Sequence, residues 1–341
     1  VKSDYSDFAL LDVLSICFDE FKVIVTEGII DSDEYIKHIQ LRRVKPHELL
    51  DVEVDEENFY VFIFKIAVVY ERLIKESKYA YDSYSVHNLW SELPASFKSC
   101  SEYQHIIIDD ASQIPSCVIK ALSKSIAPGG SLTLFVDKYR FGSYPLYIES
   151  QDFLSGAKSV DLFINYRSQL LIQSLALKLA KANGQNLDER YLYFNQYAKI
   201  KPLLICADSK SDEEARIINA ASNYKSTKSI AFLVSNSSQV TILSKILPDA
   251  IKIKELSNFE IKIRNGVYIG VMLESKGLTF DVVYMPFMSV DAFDSLFNEE
   301  ADLEAARNIY SGINCASERL RVMYTGTMTK HLECVLDKFE R

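Results

Sequence analysis

Short runs of β-branched and aromatic residues alternate with amphipathic segments along most of this chain, and no other feature constrains its fold as strongly. Strands are expected at His105–Ile108, Ser131–Val136, Val160–Ile164, Pro202–Cys206, Ser229–Val234, 267–273, 281–286 and Leu332–Leu336. Helices are expected between them, at Ile114–Lys124, from Ser168 to Ala182, at Asp212–Asn223 and Ser238–Leu247, and in the acidic region Asp291–Tyr310. Strand–helix–strand repetition builds parallel sheets through crossovers, so the fold class is α/β. The first part of the chain reads differently. Phe8, Leu11, Leu14, Phe18 and Phe21 recur at helical spacing, and Asp31–Lys45 and Phe59–Lys78 are further helical stretches, with another expected from Tyr81 through Trp90. A length of 341 residues suits about two domains. The loop-like stretch 141–158, with Gly142, Pro145 and Gly156, puts the boundary between 1–155 and 156–341.

Composition narrows the function classes. The net charge of −9 argues against wrapping duplex DNA by charge alone, so nucleic-acid contact would come from a local groove or aromatic stacking. Cysteines stand singly at 17, 100, 117, 206, 315 and 334, without a Cys-x-x-Cys pair. Neither zinc nor a disulfide framework is expected, nor haem or flavin, and a reducing, cytoplasmic setting is the default. No apolar run is long enough to span a bilayer and no signal peptide is visible, so no membrane partner is expected. A first residue of Val rather than Met suggests a trimmed or processed start.

Four stretches carry candidate chemistry. His105–Gln113 is a β-branched strand delivering Asp109 and Asp110 at its carboxyl end, where α/β sheets bind ligands. Asp109 could hold Mg²⁺ there; equally, the pair could cap the following helix. The next strand also ends in an acid, Asp137, with Arg140 close behind. Arg167 falls at a strand-to-helix junction, placed for a phosphate or for an ordinary surface ion pair. Val267–Pro286 reads as strand, Glu274-Ser275-Lys276-Gly277 turn and strand again. It is either a cationic anion-binding turn at a sheet edge or a buried hairpin.

In this order the stretches resemble the UvrD/Rep-type superfamily 1 DNA helicases over roughly residues 60–336. Asp109-Asp110-Ala111-Ser112-Gln113 is similar to the family's Asp-Glu-Ala-Gln box, and Leu132–Asp137 to the strand of its Gly-Asp-x-x-Gln motif. Asn165-Tyr166-Arg167-Ser168 reproduces Asn-Tyr-Arg-Ser literally. Ser211–Ala215 resembles the Glu-Glu-Ala helix, Ser275–Asp281 resembles Ala-Lys-Gly-Leu-Glu-Phe-Asp, and Glu318–Lys330 resembles the last motif, with Arg321, Tyr324 and Gly326 in place. The resemblance implies two RecA-like domains, the second in a short form, with the N-terminal helices as a remnant of the first domain and its insertion. It implies Asp109, Asp110 and Arg167 as catalytic positions, with Mg²⁺ on Asp109. ATP would be held by Asp137, Arg140, Arg167, Lys276, Gly277 and Arg321, and nucleic acid by Asn165, Tyr166, Ser275 and Lys276.

The departures from the family concern chemistry. No Gly-x-x-x-x-Gly-Lys-Ser/Thr loop occurs, so nothing in the chain cradles a β-phosphate. The second acid is Asp110 rather than Glu, the Gln that senses γ-phosphate falls on Arg140, and Val271, Leu273 and Thr279 replace polar working residues. The final Thr-Arg pair falls on Met328 and Thr329, so the arginine finger is lost. A pseudo-enzyme is therefore expected, binding single-stranded or junction DNA, or a protein partner. The alternative is the motor portion of an active ATP-dependent DNA helicase whose phosphate loop lies upstream of Val1.

Overall fold

The computed structural model describes residues 10–40, 45–46, 55–76, 103–111, 114–136, 154, 156–183, 200–224, 226–256, 263–294 and 302–340. The chain divides into two compact units, Val1–Lys158 and Ser159–Arg341. Its class is mixed α/β, with one two-stranded and one six-stranded sheet among the described residues, both parallel. That architecture is compatible with RecA-like domains. Among the described residues no helix is long and apolar enough to cross a membrane.

The first unit opens with α1 (Leu10–Glu27), α2 (Ser32–Gln40) and α3 (Glu56–Glu76). Helical spacing puts Cys17, Phe21, Ile24 and Val25 of α1 into one core with Tyr35 and Ile39 of α2 and Phe59 and Ile63 of α3. The Tyr35 hydroxyl donates to the buried Glu20 carboxylate at 2.7 Å, which satisfies both groups inside that core. Asp31 opens α2 by accepting from the Glu34 N–H, and Glu34 reaches back to the Ile30 N–H. This is a capping box shifted by one donor.

Next come β1 (Tyr103–Ile108), α4 (Ser116–Ser123) and β2 (Ile126–Leu134), with the two strands in parallel register. The Pro128-Gly129-Gly130 turn expected from the sequence is instead a bulge inside β2. Tyr103 pairs with Ile126 and His105 already with Ser131, so the extra residues loop out. Gly129 takes φ +81° there, and a Cβ on Gly130 would lie 2.3 Å from the Gln104 carbonyl oxygen.

The second unit contains α5 (Leu170–Ala182), β3 (Leu203–Ala207), α6 (Lys210–Tyr224), β4 (Ser229–Val234) and α7 (Ser237–Ile246). It continues with β5 (Ile251–Lys252), β6 (Gly266–Val271), β7 (Phe280–Met285), α8 (Asp302–Asn314) and β8 (Ala316–Thr325). The strand order is β3-β8-β7-β4-β6-β5. Every residue of β4 is buried, as expected of a central strand covered on both faces. One face packs α6 and α7 through Ile217 and Leu243 onto Phe232, Ile269, Tyr284 and Met323. α5, α8 and a closing 3-10 helix (Lys330–Lys338) pack against one another apart from that group.

Three local expectations are corrected. Val160–Ile164 forms no strand. Leu332–Leu336 is part of the 3-10 helix, because Thr329 caps it by accepting from the His331 N–H. The 267–273 and 281–286 strands are neither a hairpin nor an edge pair. β4 lies between them, and both run parallel to it. The Lys-Gly stretch is thus a very short crossover spanning Met272–Thr279.

Candidate functional site

The crossover is compact because its own side chains fold it. Ser275 is fully buried, and its Oγ donates to the Val271 carbonyl at 2.7 Å while its N–H reaches the same oxygen at 3.0 Å. Its carbonyl then accepts from the Leu278 N–H and from the buried Cys315 thiol at 3.2 Å. Gly277 turns the chain at φ +82°, a conformation strained for any residue with a Cβ. Met272 packs against Gly312 of α8, where a Cβ would lie 3.1 Å from the Met272 Cγ. Lys276 is half-buried beside the exposed Glu274 and Gly277.

The Asn-Tyr-Arg-Ser stretch is likewise pinned by one side chain. Asn165 Oδ1 accepts from the Arg167 N–H at 2.8 Å and the Ser168 N–H at 3.0 Å, an Asx turn that starts α5. Tyr166 and Arg167 therefore project outward, with Tyr166 76% exposed. The next residue, Gln169, donates its N–H to Ser317, and Ser317 Oγ donates to the Phe280 carbonyl. Phe280 N–H in turn bonds Cys315. Gln169, next to one motif stretch, and Ser275 of the other thus both bond to the segment Cys315–Ser317, at the amino ends of β7 and β8. Gln169, which follows the Asn165–Ser168 turn, and Ser275, more than a hundred positions away in sequence, are thus tied to Ser317 and Cys315 respectively.

Arg321 does not join them. It lies midway along β8 opposite Tyr284, whose hydroxyl accepts from its Nη1 at 2.7 Å, and its guanidinium lies 5.3 Å from the centre of that ring. Asp281, read as part of the family frame, is a structural tie. Its Oδ2 accepts from both the N–H and the hydroxyl of Ser229 at 2.8 Å, and its own N–H returns a bond to that hydroxyl. In the first unit Asp109 is exposed at the carboxyl end of β1, and its Oδ1 accepts from the Asp110 N–H at 2.9 Å. Asp110 adopts φ +54°, a turn conformation that Asp tolerates better than most residues. Among the described residues no group of three or more His, Cys, Asp or Glu is placed to hold a metal. Mg²⁺ on Asp109 would take its other ligands from phosphate and water. Asp137 and Arg140 lie outside the described residues.

At the opposite, carboxyl end of the sheet stand polar groups that were not expected as site residues, although Glu213 lies in the Ser211–Ala215 stretch. Glu213 of α6 is 2% exposed; Oε1 accepts from the Phe287 N–H at 2.8 Å and Oε2 from the Thr325 hydroxyl at 2.7 Å. It joins the ends of β7 and β8, and Phe287 there takes φ +62°. The signal was present: Glu213 lies four residues before the buried Ile217, on the inward stripe of α6. Gln239 does the same for the next loop, accepting from the Ser235 N–H and donating to the Ala292 carbonyl. Thr329 is fully buried, and its hydroxyl donates to Asp294. His331 Nε2 lies 3.8 Å from the same carboxylate. No sequence pattern marks that cluster.

No protein-family model matches the chain, and no curated protein sequence matches it either. Among solved structures it is similar to the C-terminal domain of a possible DNA helicase from Lactobacillus plantarum WCFS1. The TM-score is 0.36 and the identity 16%, over 50% of this chain and 94% of that chain.

Proposed function

We propose that this chain is a UvrD/Rep-like helicase relative whose motor frame serves to bind nucleic acid or a protein partner instead of hydrolysing ATP. The observation that carries this reading is Thr329. An arginine finger must reach a transferring phosphate, whereas the side chain at this position is fully buried and bonded to Asp294. Arg321, the other cation of that motif, is held against Tyr284. What suits nucleic acid is the outward pair Tyr166 and Arg167, a ring for base stacking beside a cation for the backbone. The Asx turn of Asn165 holds the backbone that carries both. The ligand class is single-stranded or junction DNA, and the setting is the cytoplasm.

The test pairs two measurements. ATP hydrolysis with Mg²⁺ is expected to be absent with or without single-stranded DNA. Anisotropy of a labelled oligothymidylate is expected to report binding that weakens about tenfold in Tyr166→Ala, within the range for losing one base–aromatic stack. Turnover that disappears in Asp109→Asn would overturn the proposal in favour of the active-motor alternative. That alternative draws on the placement of Asp109 at the carboxyl end of β1.

A further inference from the structure

Ser275–Leu278 is a β-turn, closed by the Leu278 N–H on the Ser275 carbonyl at 3.1 Å. Lys276 and Gly277 are its two central residues. Gly277 supplies the positive φ, +82°, that a type II turn places at the second of them. The bonds that fix this turn meet at Ser275. Its N–H and hydroxyl donate to the Val271 carbonyl, and its own carbonyl accepts twice. The second donor is the Cys315 thiol at 3.2 Å, and the same sulfur lies 3.3 Å from the Ser311 carbonyl. Cys315 is 2% exposed, so water does not compete for its proton. The Ser275 carbonyl belongs to the planar peptide unit that leads into Lys276, so the thiol fixes the plane from which the lysine departs.

The segment that begins with Cys315 also holds the start of α5. Gln169, three residues after Tyr166, donates its N–H to the Ser317 carbonyl at 3.0 Å. Ser317 Oγ and the Phe280 N–H pin Cys315–Ser317 to the first residue of β7. The path through these bonds keeps Gln169 and Ser275 within about 20 Å of each other. A strand stacked on Tyr166 needs only a few further nucleotides to bring a phosphate to Lys276.

We propose that Cys315 is a positioning residue for nucleic acid. Its thiol, acting through the Ser275 carbonyl, presents Lys276 to a phosphate of the strand that stacks on Tyr166. This role rests on the chain binding nucleic acid at Tyr166 and Arg167, as proposed. Lysine carries a compact charge on a flexible stem, so a rigid turn beneath it lowers what binding must order. The hydrogen bond of residue 315, not its volume, is what the role requires.

Two substitutions separate the bond from the volume. Cys315→Ser keeps a donor, and Cys315→Val fills the space without one. Anisotropy of the labelled oligothymidylate is expected to give parent-like affinity for Cys315→Ser. For Cys315→Val it should report a loss of about threefold, the scale of one hydrogen bond. Lys276→Ala should weaken binding and reduce the salt dependence, log affinity against log salt, by about 0.7, as one lost phosphate contact does on a single strand. Cys315→Val should cost nothing more once Lys276→Ala is present, whereas its loss should multiply with that of Tyr166→Ala. Circular dichroism and cooperative melting check folding, and Cys315→Ala, which also lacks the donor, replaces Cys315→Val should that variant not fold. Parent-like binding by the variant without a donor overturns the proposal and leaves the nucleic-acid reading standing. An equal loss in Cys315→Ser, parent-like binding by Lys276→Ala, or an undiminished effect of Cys315→Val beside Lys276→Ala does the same. Failure of the parent chain to bind oligothymidylate overturns both.

Discussion

At the scale of single residues, polar groups here act mainly as fasteners. Glu213 is the clearest case, since one buried carboxylate satisfies a strained backbone N–H at Phe287 and the Thr325 hydroxyl. Glu213→Ala leaves both donors without a partner inside the protein, which costs about 2–4 kcal/mol of stability, measurable by urea unfolding. Glu213→Gln keeps one good acceptor and should lose about half as much. Cysteines give a second prediction from burial. Burial, with Glu20 nearby, pushes the Cys17 thiol up to about 11, and burial pushes Cys117 up to about 12. Among Cys17, Cys117, Cys206, Cys315 and Cys334, iodoacetamide at pH 8 should modify the exposed Cys206 first and leave Cys17 and Cys117 untouched until the protein unfolds. Peptide mass spectrometry reads the order.

At the scale of elements, the closing 3-10 helix is held to α5 from outside as well as by its core. Its Asp337 accepts from the Lys178 ammonium, and that hydrogen bond holds the Asp337 carboxyl below its ordinary value of 3.8. A carboxyl depressed in the folded state contributes stability above its unfolded value, and the contribution disappears as pH falls through the folded value. Asp337→Asn should therefore be slightly less stable than the parent at neutral pH and converge with it as pH drops below 3.8, followed by thermal melting. The pair is exposed, so the difference is small. The same scale explains the misread Lys-Gly stretch. Its two strands were legible as strands from their apolar residues. Their neighbours were not, because β4, inserted between them, is remote in sequence and no local pattern encodes strand order.

For the whole molecule, the division at Lys158/Ser159 separates two units with their own cores. The second has a six-stranded sheet buried on both faces of its central strand, whereas the sheet of the first has two strands among the described residues. A fragment of residues 159–341 is expected to be expressed soluble and to unfold cooperatively by circular dichroism, while 1–158 alone should be markedly less stable. Loss of cooperativity in 159–341 would show that its core depends on the first unit.

The sequence alone determined the class and most elements of the second unit, though not β5, β8 or the closing 3-10 helix, because strands buried on both faces read as continuous β-branched runs and helices keep their 3.6-residue stripe. It also placed Asp109 at the end of its strand and Arg167 at the start of its helix. Tertiary structure alone decided which of these meet. Gln169 and Ser275 bond to Ser317 and Cys315, Arg321 is held by Tyr284, and Thr329 turns inward to Asp294. Local propensity is a property of neighbours along the chain, and a site is a property of strand order and of which buried polar groups find each other.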